Sequence, residues 1–371
     1  MLGPTMKPGL AYYISAHGYG HGVRSCDMLR VFLREYPGVP VVIVSDLPGA
    51  FLRNRLGGAP AELRPGSFDV GMVQLDSVRV DVPATLARVR DLYRRREELV
   101  EREARFIHER NIGLVVADVA ALPIEAAKRA GRPAVAVGNF GWDWIYEEFV
   151  PRDPRWAEAV SAFREGYAQA DLLLRLPFHE PMSAFRRIED IPLVAAPGRA
   201  RREELAALTG ARPDRTWVLL SFTTLDWDGR ALDRVERLEA YEFFTVKPLE
   251  WSRRNIHAVD RERIRFSDVL ASVDVVVSKP GFGLVSECAV NRKPLVYVDR
   301  TDFREYPILE AGVRRFLKHR LLPAERLYAG DLAEALAAIG RQPEPADALP
   351  EGGAEIAARR FAERLDLKKA L

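Results

Sequence analysis

The chain has 371 residues, 48% hydrophobic and 29% charged, with a formal net charge of +2. That length exceeds what one ordinary core serves and reads as two domains, while the interleaved acids and bases exclude the one-signed face of a duplex-binding protein, so nucleic acid is not an expected partner. No apolar run reaches membrane-spanning length, and only two cysteines, Cys26 and Cys288, occur, which excludes a disulfide framework or a thiolate metal site.

The first residues, MLGPTMKPGL, lack the apolar stretch of a signal peptide, so a cytoplasmic protein is expected. The run LAYYISA at 10–16 then predicts a strand and HGYGHGVR follows it, with a helix over 21–36. Gly18, Gly20 and Gly22 are expected to give the backbone positive φ and a close approach to a ligand. Two histidines at the end of a strand and the start of a helix point to a catalytic base, with His21 and His17 as the candidates. The loop is not a dinucleotide fingerprint, because Val23 stands where the third glycine would be, and nothing near it supplies a zinc set.

Further strands are expected at 40–45, 113–118, 133–137 and 171–175, with helices at 85–110, 121–131 and 155–169. Asp118 closes the third of the five strands of this half and is a candidate acceptor- or sugar-binding residue. After the fourth, NFGWDWIYEEF sets Asn139, Trp142 and Asp143 in an aromatic stretch with a carboxylate, which reads as an acceptor- or sugar-binding surface. The arginine and glutamate cluster at 94–103 reads as a solvated face with ion pairs one turn apart.

Pro192, Pro197 and Gly198 interrupt the chain at a hinge. Beyond it, strands at 216–221, 242–246, 273–278 and 294–298 alternate with helices at 229–239, 283–291 and 304–312. A proline-rich stretch, 342–353, leads to a last helix at 353–369. The organisation is a doubly wound, Rossmann-like domain over 1–195, a second over 200–345, and a terminal helix, 353–371, that packs back on the first domain.

In the second half, VVVSKPGFGLVSE carries a strand into Pro280, Gly281 and Gly283 and then opens a helix, so backbone N–H groups face a phosphate. Glu287, one turn further in, suits the two hydroxyls of a ribose. Lys279, Phe282 and Ser286 belong to the same stretch. Ser221, Thr223 and Thr224, after the strand at 216–221, add hydroxyls for phosphate. Asp226 and Asp228 form a D-x-D pair beside Gly229, which reads as a helix-capping turn, and no metal is expected.

Together, HGYGHGVR, LVVADV, GNFGWDWIYEEFV, RLPFHEPMSAFRRIEDIPLV and SKPGFGLVSECAVNRKPLVYVDRTDFREYPIL resemble the N-terminal glycosyltransferase-like domain of plant L-arabinokinases, from about residue 11 to about residue 320. More remotely the chain is similar to nucleotide-sugar transferases of the MurG type, and its glycine-rich loop to UDP-sugar hydrolases of the PseG type. The resemblance implies an α/β GT-B fold, two Rossmann-like doubly wound parallel-sheet domains facing a cleft, with the acceptor in the domain over 1–195 and the nucleotide sugar bound by the domain over 200–345. It assigns His21 as the catalytic histidine, Gly20 and Arg24 to the nucleotide sugar, Glu287 to the ribose and Glu305 to the donor sugar, although MurG has an amide at that last place.

The expectation is a metal-independent, inverting glycosyltransferase that moves a sugar from a nucleotide diphosphate sugar, a UDP-sugar by preference, to an acceptor hydroxyl, with no resident cofactor. Hydrolysis of the nucleotide sugar is the alternative reaction, and a non-catalytic nucleotide-sugar-binding protein the alternative class. MurG-like enzymes work at a bilayer, which would allow a peripheral membrane contact, but no strongly basic amphipathic helix supports one here.

Overall fold

The computed structural model of the chain describes residues 7–75, 80–300 and 303–367. It divides into two compact units, one formed by Met1–Val73, Asp81–Ala195 and Pro350–Leu371, the other mainly by Ala196–Leu349.

Unit 1 is built on a seven-stranded parallel sheet of β1 (Gly9–Ile14), β2 (Val41–Val44), β3 (Glu62–Arg64), β4 (Ile112–Asp118), β5 (Ala134–Gly138), β6 (Leu172–Arg175) and β7 (Ile188–Asp190). Their spatial order is β3-β2-β1-β4-β5-β6-β7. Every residue of β1 is buried, as expected of a central strand covered by helices on both faces, and this is why its sequence is continuously apolar rather than alternating. The order reverses between β1 and β4, which makes their carboxyl ends the switch point where such sheets bind ligands. The register pairs Ile14 with Asp118, so the loop after β1 and the end of β4 emerge together.

Unit 2 repeats the plan with β8 (Thr216–Leu220), β9 (Tyr241–Val246), β10 (Ile256–Val259), β11 (Val275–Ser278), β12 (Leu295–Val298) and β13 (His319–Leu322) in the order β10-β9-β8-β11-β12-β13, all parallel. Its switch point lies between β8 and β11. Val277 pairs with Leu220, so the loops beginning at Ser221 and Lys279 leave the sheet side by side. The short edge strands β3, β7, β10 and β13 were not expected from the sequence.

Two expectations change. The single helix at 85–110 is two, Val82–Arg94 and Arg96–Glu109, with a break at Arg95, so the buried residues Leu86, Leu92, Leu99 and Ile107 are carried on two axes. The glycines of HGYGHGVR do not take positive φ. Gly18 is extended at φ −164°, and Gly20 and Gly22 lie inside the helix Tyr19–Glu35, which starts two residues earlier than expected. Gly22 serves packing instead, since a Cβ there would lie 2.6 Å from Phe51 and 2.7 Å from Leu47. Among the described residues no helix is long and apolar enough to cross a membrane, and Cys26 and Cys288 are both buried thiols.

The terminal helix, Gly353–Arg364, packs within unit 1 against the helix Tyr19–Glu35. Phe361 meets Tyr12 and Phe32 edge-on, each at 6.1 Å, and its full burial stabilises the unit by about 1.5–3 kcal/mol. The helix ends at Arg364, earlier than expected, with 365–367 outside it; residues 368–371 of the expected helix lie outside the described residues. The helix is seated by Gly353, whose N–H donates to the Leu193 carbonyl and whose missing side chain admits the Pro192 carbonyl: a Cβ would stand 2.1 Å from that oxygen. Gly353→Ala is therefore expected to lower stability by roughly 1–3 kcal/mol in denaturant unfolding, and an unchanged midpoint would contradict this seating.

Candidate functional site

The switch point of unit 1 holds a buried cluster of polar side chains. His21 sits in the first turns of the helix Tyr19–Glu35, and Arg24 and Ser25, three and four positions on, share its helix face. All three converge on Asp118, which is completely buried. Its carboxylate accepts from His21 Nδ1 at 2.8 Å, from Arg24 Nε at 2.8 Å and Nη2 at 2.5 Å, and from Ser25 Oγ at 3.0 Å. Arg24 Nη1 completes its set by donating to the Asn139 side-chain oxygen, and Asn139 in turn donates to the Pro177 carbonyl at 2.6 Å.

The partners fix the imidazole tautomer. Arg24 Nη2 also lies 3.1 Å from His21 Nδ1, but a guanidinium has only donors, so the two nitrogens are neighbours because both donate to Asp118 Oδ1. In the neutral ring, Nδ1 carries the proton and Nε2 keeps its lone pair. Burial opposes ionisation of Asp118, but the charge of Arg24, the His21 ring and the hydrogen bonds of both outweigh it and hold the carboxyl well below the usual range. Asp118 is thus a carboxylate at neutral pH.

His17 is arranged the opposite way. Its Nδ1 accepts from the Met72 N–H at 3.3 Å, which leaves the proton of the neutral ring on Nε2. Gly71, at φ +69°, makes room for this contact: a Cβ there would fall 2.2 Å from Nδ1. The ring stands edge-on to Trp142 at 5.2 Å and lies 6.5 Å from that of His21. Of the two histidines only His21 presents an unprotonated Nε2.

The residues expected to form an acceptor or sugar surface, Asp118, Asn139, Trp142 and Asp143, are all buried. Trp142 donates from Nε1 to Asp69 at 3.0 Å, Asp143 pairs with Arg164, and Asn139 and Asp118 spend their side-chain oxygens within the cluster. Burial raises the carboxyl of Asp69, against the bonds it accepts from Ser15 and Trp142. Asp69 and Ser25 escaped sequence reading: Asp69 lies in an irregular segment with no pattern to flag it, whereas the i,i+4 spacing of Ser25 from His21 was the available signal.

In unit 2 the loops after β8 and β11 are tied where the Ser278 hydroxyl donates to the Ser221 carbonyl at 2.7 Å. The helix Phe282–Val290 starts from Gly281 in extended backbone, with open space where a side chain would be. Thr223 and Thr224 are exposed, Lys279, Phe282 and Gly283 are part-buried, and Pro280 is buried. The Ser286 hydroxyl donates to the Phe282 carbonyl inside the helix at 2.7 Å. Glu287 and Glu305 are both buried, the latter at the start of the helix Tyr306–Phe316. The D-x-D pair is a cap: the Asp228 carboxylate accepts from the Ala231 N–H at 2.8 Å. Among the described residues no group of three or more His, Cys, Asp or Glu side chains is placed to hold a metal ion.

Two parallel sheets of this order, each with its polar loops at the switch point, define the GT-B fold, and solved structures agree. The chain superposes on the glycotransferase of kitacinnamycin with a TM-score of 0.62 at 16% identity, covering 98% of this chain and 96% of that one. A UDP-glucosyltransferase from Polygonum tinctorium capable of glucosylating indoxyl gives 0.62 at 15%, covering 98% and 99%. In sequence, the L-arabinokinase of Arabidopsis thaliana is 30% identical over 302 residues, which make up 81% of this chain but 29% of that protein. The chain therefore spans less than a third of the length of this relative. No protein-family model matches it.

Asp118→Asn would leave the Arg24 guanidinium buried without its counter-charge, and we expect a loss of about 3–5 kcal/mol of unfolding free energy at neutral pH. Because the folded carboxyl is held below its unfolded value, its contribution is complete above about pH 4 and is lost as pH falls below that. Acid unfolding should accordingly be shallower in Asp118→Asn than in the wild type, and matching acid limbs would contradict the ionised pair.

Proposed function

We propose that the chain is a glycosyltransferase that moves a sugar from a nucleotide diphosphate sugar, a UDP-sugar by preference, to an acceptor hydroxyl, with inversion and without a metal ion. The observation that carries this reading is the His21–Asp118 pair at the switch point of unit 1, within a fold that the chain shares with sugar transferases.

In this reading His21 Nε2 takes the proton of the acceptor hydroxyl while that oxygen forms its bond to the anomeric carbon. The bond from that carbon to the diphosphate oxygen breaks, and the diphosphate leaves with the electron pair. The imidazolium that results keeps its Nδ1–H on Asp118, whose negative charge stabilises it. Arg24 and Ser25 hold the carboxylate in place. His17, with its proton on Nε2, donates a hydrogen bond to substrate rather than removing a proton.

Unit 2 supplies the donor contacts. The N–H groups at the start of the helix Phe282–Val290, with Ser221, Thr223, Thr224 and Lys279, take the diphosphate, and the helix dipole offsets the charge that builds on it. Glu287 accepts from the ribose hydroxyls and Glu305 meets the sugar. Phosphorylation of a sugar, the activity in the name of the arabinokinase, is not carried over from a match to less than a third of that protein.

His21→Ala is expected to lower kcat by roughly 10²- to 10⁴-fold while UDP still raises the melting temperature, because the nucleotide contacts lie on other residues. Unchanged kcat in that variant would remove His21 from the chemistry. Fast release of free sugar with no acceptor present would assign hydrolysis in place of transfer.

A further inference from the structure

We propose that Tyr167 is a positioning residue for the His21–Asp118 pair, acting through the backbone of Val119; the proposal rests on the reading of His21 as the base. Val119 directly follows Asp118 and has φ +54°. A β-branched residue in the left-handed region is a conformational outlier that persists only where its surroundings hold it. Two contacts do so. The Val119 N–H donates to the Val137 carbonyl at 3.3 Å, and the Tyr167 hydroxyl donates to the Val119 carbonyl at 2.7 Å. Gly138 permits the turn, since a Cβ on it would lie 2.8 Å from Val119 Cγ1.

The same hydroxyl accepts from the Trp142 N–H at 3.1 Å. Tyr167 therefore ties Val119, the residue after Asp118 at the end of β4, to Trp142, three residues beyond Asn139 at the end of β5. The side chains of Asp118 and Asn139 are the acceptors that hold Arg24. Tyr167 itself is completely buried at the end of the helix Trp156–Tyr167, stacked on Phe185 at 4.8 Å. Its surroundings fix the ring, so only the hydroxyl need be removed to release the tie. The position of Asp118 is then no longer enforced: relaxation of Val119 towards ordinary φ swings the carboxylate away from His21 Nδ1.

The test compares the wild type, Tyr167→Phe, and Tyr167→Phe combined with Val119→Gly, since glycine adopts this φ without strain and so makes the tie unnecessary. We expect Tyr167→Phe to lower kcat by roughly 10- to 100-fold with the donor KM little changed, and to abolish the low-field proton NMR signal of His21 Nδ1–H bonded to a carboxylate. The double variant should regain most of both. A Tyr167→Phe protein with wild-type kcat and signal, or a double variant with no recovery, would overturn the proposal. A wild-type chain that transfers no sugar, but whose His21 signal is lost and regained across the variants in this way, would sustain the role of Tyr167 and overturn only the assignment of His21 as base.

Discussion

The arrangement of unit 1 depends on one carboxylate that water never reaches. Asp118 is fully buried, and an isolated charge there would be prohibitive, so its ionised form exists only because Arg24 brings a positive charge and His21 and Ser25 bring donors to it. Four donor atoms share two oxygens, and the three side chains that carry them stand on one face of one helix. The carboxylate therefore fixes how the helix Tyr19–Glu35 sits over β1 and β4 as well as which nitrogen of His21 is bare. Packing and chemistry are set by the same contacts.

This explains the asymmetry between the two histidines of HGYGHGVR. Both lie at the end of β1 and both are imidazoles, yet one meets a carboxylate through Nδ1 and the other a backbone N–H. An acceptor at Nδ1 leaves a base at Nε2; a donor at Nδ1 leaves a proton there. The difference follows from what faces the ring across the sheet and could not be read from the eight residues themselves.

Much of the frame was legible in the sequence because it rests on local pattern. LAYYISA, LVVADV and VVVS read as buried parallel strands, and their loops read as the ligand-bearing ends, since hydrophobic runs and glycine punctuation are short-range signals. What was not legible depends on register. Asp118 was visible as the end of a strand, but its partnership with His21, 97 positions away, is made by the pairing of Ile14 with Asp118. The glycines were legible as permissive residues and misread as left-handed ones, because the helix starts at Tyr19 and Gly22 is needed for contact with Phe51 and Leu47. Trp142 and Asp143 looked like a surface because composition does not reveal that the indole N–H is spent on Asp69 and the carboxylate on Arg164.

If the bare Nε2 of His21 draws a proton from an attacking hydroxyl, one displacement occurs at the anomeric carbon and its configuration must invert. The most direct measurement is therefore the anomeric configuration of the first-formed product, read by NMR from a UDP-α-linked sugar and an acceptor that turns over. A β-linked product is the outcome predicted here; an α-linked product would mean that substitution does not proceed by that single step and would contradict the account.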